Sequence, residues 1–362
     1  VLEGDEELPG EIAAVERAFG AENRRRILTS YLGQAGPVTP ANAWQHVYRI
    51  LLWINPTIGL AHCYESDKCQ PHKAWYPRSL AFHAWVAEQL GVSPGDLREH
   101  IDRLFHAALP TLAHVEASAR RSAGRKHLEP YAGMDMPLPG DDPELVDIVT
   151  TALGIDPVLV PDVAARTLVE LVYTHFSLEN KRKNLLGRGF EDTLAALICQ
   201  LEGHERWEIA TRVDIGAIPG FLSHGAQLKR TEVDLALWER DGDRRILVSS
   251  KWSVRADRER QFDSDFEDYS KANAGSPFEY ILLTNEFDAA RLDASCGKVR
   301  GNQHLFTKVV HVQPEAVLVA YGREADMPAP GATTRRKARL LRGHLESGRM
   351  VPLAKWLQDL VG

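Results

Sequence analysis

The sequence predicts a mixed α/β protein, a β-sheet flanked by helices, with a mainly helical amino-terminal region in front of it. Three observations carry this. Apolar residues recur at helical spacing through roughly the first 165 residues. From Trp207 onward, short stretches alternate apolar and polar residues with period two. The chain's 362 residues exceed the roughly 100–200 of a usual single domain. Two domains are therefore expected, residues 1–165 for recognition or dimerisation and residues 166–362 for chemistry.

The elements follow in order. Thr39 and Pro40 form a cap and first-turn pair ahead of Ala41–Ile54, and Ser93-Pro94 repeats the device before Gly95–Leu109. Residues 61–79 between these helices are rich in turn formers and read as a structured loop. Residues 123–143 mix Gly, Pro and charge, as a surface connection does. A helix runs over 163–176, then a basic stretch, then an amphipathic helix over 190–203. Residues 207–213 and 231–238 alternate as strands. Asp241-Gly242 marks a hairpin turn into 245–252, another β run. A charged helix over 254–272 and strands at 279–285 and 304–312 complete the core.

Composition narrows the function classes. With 44% hydrophobic and 26% charged residues the chain is globular rather than disordered. No apolar run approaches the ~18–20 residues of a membrane helix. Val1–Gly10 lacks a signal-peptide layout, and four cysteines make no disulfide scaffold, so a reducing cytoplasm is expected. The net charge of −7 gives no global basic field, yet charge is uneven: 14 basic and 20 acidic side chains before residue 151, nine and five after residue 300. Phosphate contacts are made patch by patch, so a nucleic-acid partner remains open. GxxxxGK[ST] is absent, so no nucleotide cofactor is expected.

The most informative stretch is the predicted hairpin. It places Asp234 on one strand and Lys251, 17 residues later, on the next, bringing an acid and a lysine to the same end of a sheet. There a carboxylate can hold a divalent metal while the ammonium sits by the attacking water or scissile phosphate. Glu191 stands at the start of the amphipathic helix upstream and can face the same site. Each residue also has a plain structural reading. Asp234 can pair with Lys229 or Arg230, Lys251 can be the solvated end of a strand, and Glu191 can favour its helix dipole.

This order resembles the PD-(D/E)xK nuclease superfamily, which includes most restriction endonucleases, over roughly residues 185–285. The matching residues are Glu191 in a helix, Asp234 on a strand, a hairpin, Lys251 on the next strand, and a helix after it. One departure matters: the family usually has an acid two residues before the lysine, and here Ser249 stands there. Ser is a poor Mg²⁺ ligand beside a carboxylate. Some restriction enzymes cutting CCGG-cored sites are similar, with Ser-x-Lys and a displaced acid in the following helix, which implies Asp265 here. Asp263 and Glu259 offer further acids one turn apart on a shared face. The resemblance implies a restriction-endonuclease-like core and an Mg²⁺-dependent type II endonuclease acting on double-stranded DNA, with methylation either required or inhibitory. A palindromic site cut on both strands implies a homodimer. Two alternatives stay open: a non-catalytic DNA-binding or regulatory protein on the same scaffold, and a repair or junction nuclease.

Basic residues around this site are the DNA-contact candidates. Lys181, Arg182, Lys183 and Arg188 precede Glu191; Arg255 and Arg258 follow Lys251; Arg335, Arg336, Lys337 and Arg339 lie in a Thr-capped basic helix. Cys63, Cys69 and His72, with His62 or His83, form a possible zinc set, although the spacing matches no standard finger and incidental packing is the competing reading. Trp44, Trp53, Trp75, Tyr76 and Trp85 cluster nearby as helical core or as a base-stacking cage.

Overall fold

The computed structural model describes residues 20–53, 68–106, 187–222, 231–254, 259–322 and 332–362, with isolated positions between 147 and 168. The chain forms two compact units: residues 1–109 with 186–362, and residues 110–185. This grouping places residues 1–109 in one unit with the sheet. The expected connection at 123–143 and most of the expected helix over 163–176 lie outside the described residues.

The first unit is an α/β layer structure built on a six-stranded mixed sheet. Its strands are β1 (Trp207–Asp214), β2 (Glu232–Glu239), β3 (Arg245–Lys251), β4 (Glu279–Thr284), β7 (Lys308–His311) and β8 (Met350–Pro352), hydrogen-bonded in that order. β5 (Val299–Arg300) and β6 (Gln303–His304) form a separate small hairpin. β2 runs antiparallel to its two neighbours β1 and β3, while β3, β4, β7 and β8 run parallel. The sequence pattern reflects this. β3 is buried at six of its seven positions and reads as a continuous apolar run, whereas the edge strand β1 is only partly covered. The β2–β3 hairpin closes with Glu239 N–H donating to Arg244 O at 3.0 Å, so Asp241 and Gly242 sit at the tip of a longer loop.

Helices flank the sheet. They are α1 (Ala21–Leu32), α2 (Ala43–Tyr48, continuing as a π turn over Arg49–Trp53), α3 (Trp75–Gln89), α4 (94–106), α5 (187–198), α6 (Glu259–Ala272), α7 (Ala289–Gly297), α8 (Pro314–Gly322), α9 (Ala332–Glu346) and α10 (Leu353–Val361). α2 starts three residues after the expected Thr39-Pro40 position. Thr39 N–H donates to Asn42 Oδ1 at 2.7 Å, so the Thr-Pro pair forms a turn of its own and hands the start of the helix to Asn42. Aromatic rings join the amino-terminal helices to the sheet: Tyr48 against Trp252, Trp75 and Phe82 against Phe287. Trp44 stacks on Trp85, and both are buried, which fits helical core. α10 follows β8, and its Leu360 carbonyl accepts from Trp207 Nε1 at 2.9 Å, tying the last helix to the far edge strand. Among the described residues no helix is long and apolar enough to cross a membrane.

Two buried histidines are expected to make the fold acid-sensitive. Burial pushes His83 down to about 3 and His311 down to about 4. At His311, Gln313 N–H donates to Nδ1 at 3.0 Å, so Nε2 carries the proton and gives it to Glu286 O at 2.8 Å. Protonating Nδ1 sets two donors against each other. A folded value below the unfolded one means that stability is complete above pH 6.5 and is lost as pH falls towards 4. For His311 this amounts to about 3 kcal/mol. Chemical denaturation at pH 7 and pH 4.5 checks this, and His311→Gln should flatten the difference.

Candidate active site

The hairpin register builds the site. Leu235 pairs with Val248, which places Asp234 across from Ser249. Lys251, two residues further along β3, projects from the same face because side chains alternate along a strand. Lys251 Nζ lies 2.6 Å from Asp234 Oδ2. The same oxygen accepts from Ser250 N–H at 2.9 Å and, more weakly, from Ser249 Oγ at 3.4 Å. Both charged side chains are 23% exposed, so the pair is held yet reachable. All of these donors fall on Oδ2; among the described residues none reaches Oδ1.

α5 delivers Glu191. Phe190 packs edge-on against Trp252, the residue after Lys251, which sets that turn of the helix against the end of β3. The Glu191 side chain is 7% exposed, and its Oε2 accepts from Arg212 Nη1 at 2.7 Å. Burial, and next the negative charge of Asp234, push the Glu191 carboxyl up to about 7, against the opposing pull of Arg212 and Lys251.

α6 covers the face that bears Asp234, Ser249 and Lys251. Phe266 and Tyr269 pack on Tyr280, whose position in β4 shares that face. Burial raises the Tyr280 hydroxyl well above its ordinary value, and the charges of Asp265 and Asp234 both add to this. Asp265 and Asp234 therefore act on one neighbourhood. The charge of Asp263 bears on Tyr280 as well, and its carboxylate pairs with Lys298 at 2.9 Å. α6 begins at Glu259, whose side chain lies outside the described portion.

Other expected residues are dispersed. Arg188 is exposed on α5, and Arg336 and Arg339 are exposed on α9, with Lys337 partly buried between them. Lys181, Arg182, Lys183, Arg255 and Arg258 lie outside the described residues, as does the Arg335 side chain. Of the zinc set, Cys69 is buried and His72 is exposed, while His62 and Cys63 lie outside the described residues.

Several functional-site neighbours carried no sequence signal. Arg212 stands on β1 opposite Asp234. Asp192 also bonds Arg212 and pairs with Arg24 at 2.7 Å. The fully buried Glu286, just beyond β4, accepts from Val254 N–H at 2.9 Å and Ser253 Oγ at 3.1 Å, anchoring the segment that follows Lys251. Lone charges in strands and loops have no periodicity to reveal them.

The donor set suits a hard divalent cation. Asp234 and Glu191 each keep one carboxylate oxygen clear of the contacts described above. Mg²⁺ typically takes one or two carboxylates and keeps its remaining positions for water and phosphate. Among the described residues, no three His, Cys, Asp or Glu side chains close around a single point.

No family model matches the sequence, and no curated protein matches it. Among solved structures, the chain is similar to the restriction endonuclease PspGI in complex with its substrate DNA. The match has 9% identity and a TM-score of 0.33, and covers 89% of this chain and 92% of that one.

Proposed function

We propose that the protein is an Mg²⁺-dependent endonuclease that hydrolyses phosphodiester bonds in double-stranded DNA at a short specific sequence, in the manner of type II restriction enzymes. The observation that carries this reading is the convergence of Asp234 and Lys251 at one end of the sheet, 2.6 Å apart, with the Glu191 carboxylate beside them.

Each residue then has a task. Asp234 and Glu191 would hold the cation, with Asp265 as the acid that would take over the role left by Ser249. When bound, the metal supplies Lewis-acid stabilisation of the charge that builds on the phosphate. Lys251 donates to the attacking water and offsets charge on a non-bridging oxygen, as an ammonium aimed at the reacting centre does. Ser250 N–H and Lys251 fix the Asp234 carboxylate through its other oxygen, so it does not reorganise during the reaction. Arg188 on α5 and the exposed arginines of α9 are assigned to the DNA backbone. A twofold homodimer provides two equivalent sites for the two strands of a palindrome. A cytoplasmic location fits the free thiols.

Ser249 favours a second reading, a DNA-binding protein on the same scaffold without catalysis. One assay separates the two. Plasmid DNA, methylated and unmethylated, is incubated with the protein in Mg²⁺ and Mn²⁺, with sedimentation of the same sample. Cleavage at discrete sites by a dimer, lost in Asp234→Asn, supports the endonuclease. Duplex binding with intact DNA under every condition selects the scaffold-only reading. Among the single variants Glu191→Ala and Asp265→Ala, at least one should raise the half-saturating Mg²⁺ concentration about tenfold.

A further inference from the structure

Arg212 is turned out of an otherwise regular strand. Its neighbours keep the β1–β2 register, Thr211 opposite Leu235 and Val213 opposite Val233, while Arg212 adopts a left-handed backbone with φ 50. An L side chain other than Asn or Asp is uncommon there, and such residues persist where the surroundings over-determine them. The surroundings here are two carboxylates on consecutive residues of α5. One guanidinium nitrogen bonds Glu191 Oε2 at 2.7 Å and the other bonds Asp192. Consecutive helix residues point about 100° apart, so it takes a planar fork to grip both. Asp192 is held on its other oxygen by Arg24 of α1.

We infer that Arg212 is a positioning residue that aims the Glu191 carboxylate at Asp234 and, through Asp192, ties the placement of α1 to the active site. The inference rests on the nuclease reading. Glu191 approaches a second carboxylate in a buried setting, and repulsion alone would turn it away. The Arg212 fork offsets that repulsion, while Arg24 keeps Asp192 from swinging off the fork. Through this chain of contacts α1 bears on the placement of Glu191.

The test is Mn²⁺ binding to the full chain by titration calorimetry, with thermal unfolding alongside. Arg212→Gln should weaken Mn²⁺ binding about tenfold, as loss of an outer partner of a metal ligand does. Arg212→Lys should recover only part of this, because a single ammonium cannot span both acids. Arg24→Gln should weaken binding less and in the same direction. Arg212→Gly separates backbone from side chain: it suits φ 50, so it should fold at least as well as Arg212→Gln and still bind Mn²⁺ weakly. Wild-type Mn²⁺ affinity in Arg212→Gln or Arg212→Gly, with only the unfolding temperature moved, would overturn the inference while leaving the nuclease reading intact. If Mn²⁺ binding by the wild type is absent or indifferent to Asp234→Asn, the nuclease reading falls and the inference with it.

Discussion

Lys251→Ala is expected to lower the rate of DNA cleavage about 10³-fold while leaving the fold and metal uptake in place. The rate estimate is that of removing one preorganised charge or proton-transfer group from a phosphoryl-transfer site. Retention of the fold follows from the contacts. Lys251 and Asp234 are both about a quarter exposed, so their ion pair adds little to stability, and Ser250 N–H still holds Asp234 at 2.9 Å. Metal uptake should be unchanged or tighter, because an ammonium competing for the same carboxylate has gone. Lys251→Arg should not restore activity: a planar, bulkier cation cannot place a single point charge beside the water. Single-turnover cleavage together with Mn²⁺ calorimetry reads both effects. Undiminished cleavage by Lys251→Ala would remove Lys251 from the mechanism, and loss of Mn²⁺ binding would make it a structural partner of Asp234.

The parts of this site that are legible in the sequence are those that repeat. Alternation in 231–238 and the apolar run 245–250 determine which residues pair, and pairing determines parity. Parity then puts Asp234, Ser249 and Lys251 on one face before any coordinates are considered. The order of β4, β7 and β8 beyond β3 was not legible, because parallel strands are joined through helices and carry no turn signature. The helix starts later than Thr39-Pro40 for a local reason: Thr39 N–H donates to Asn42 Oδ1, which folds residues 39–42 into a turn ahead of the helix. The place of the amino-terminal helices was hidden for another. Their buried tryptophans and tyrosines look alike whether they pack among themselves or, as Tyr48 does, against Trp252 of the sheet. Arg212 is the extreme case. Nothing in its sequence context announces a left-handed arginine inside a strand, since its two partners come from a helix 20 residues earlier.

The largest stability effect is expected at Glu286, which is also the least visible in the sequence. Its side chain has no solvent exposure and sits beyond the carboxyl end of β4. Four donors converge on it: Asp288 N–H at 2.7 Å, Val254 N–H at 2.9 Å, Ser253 Oγ at 3.1 Å and Arg291 Nη1 at 3.3 Å. Burial raises its carboxyl despite the opposing pull of Arg291 and the backbone donors. Taking one partner from a buried, hydrogen-bonded charge pair costs about 3–5 kcal/mol, since the remaining groups stay desolvated. Glu286→Ala should therefore lower stability by about that amount, read as a drop in the urea midpoint at constant slope. Glu286→Gln keeps the shape but turns one acceptor into a donor facing other donors, so it should recover only part of the loss. Because Ser253 and Val254 follow Lys251 directly, the surviving folded fraction should also cleave more slowly. Double variants with Arg291 distinguish the causes: Glu286→Gln with Arg291→Met should be more stable than Glu286→Gln alone if the lost Arg291–Glu286 ion pair dominates the cost. If removing Arg291 adds a full independent penalty, the backbone donors of Val254 and Asp288 are what Glu286 serves, and its role is to hold the chain just past Lys251.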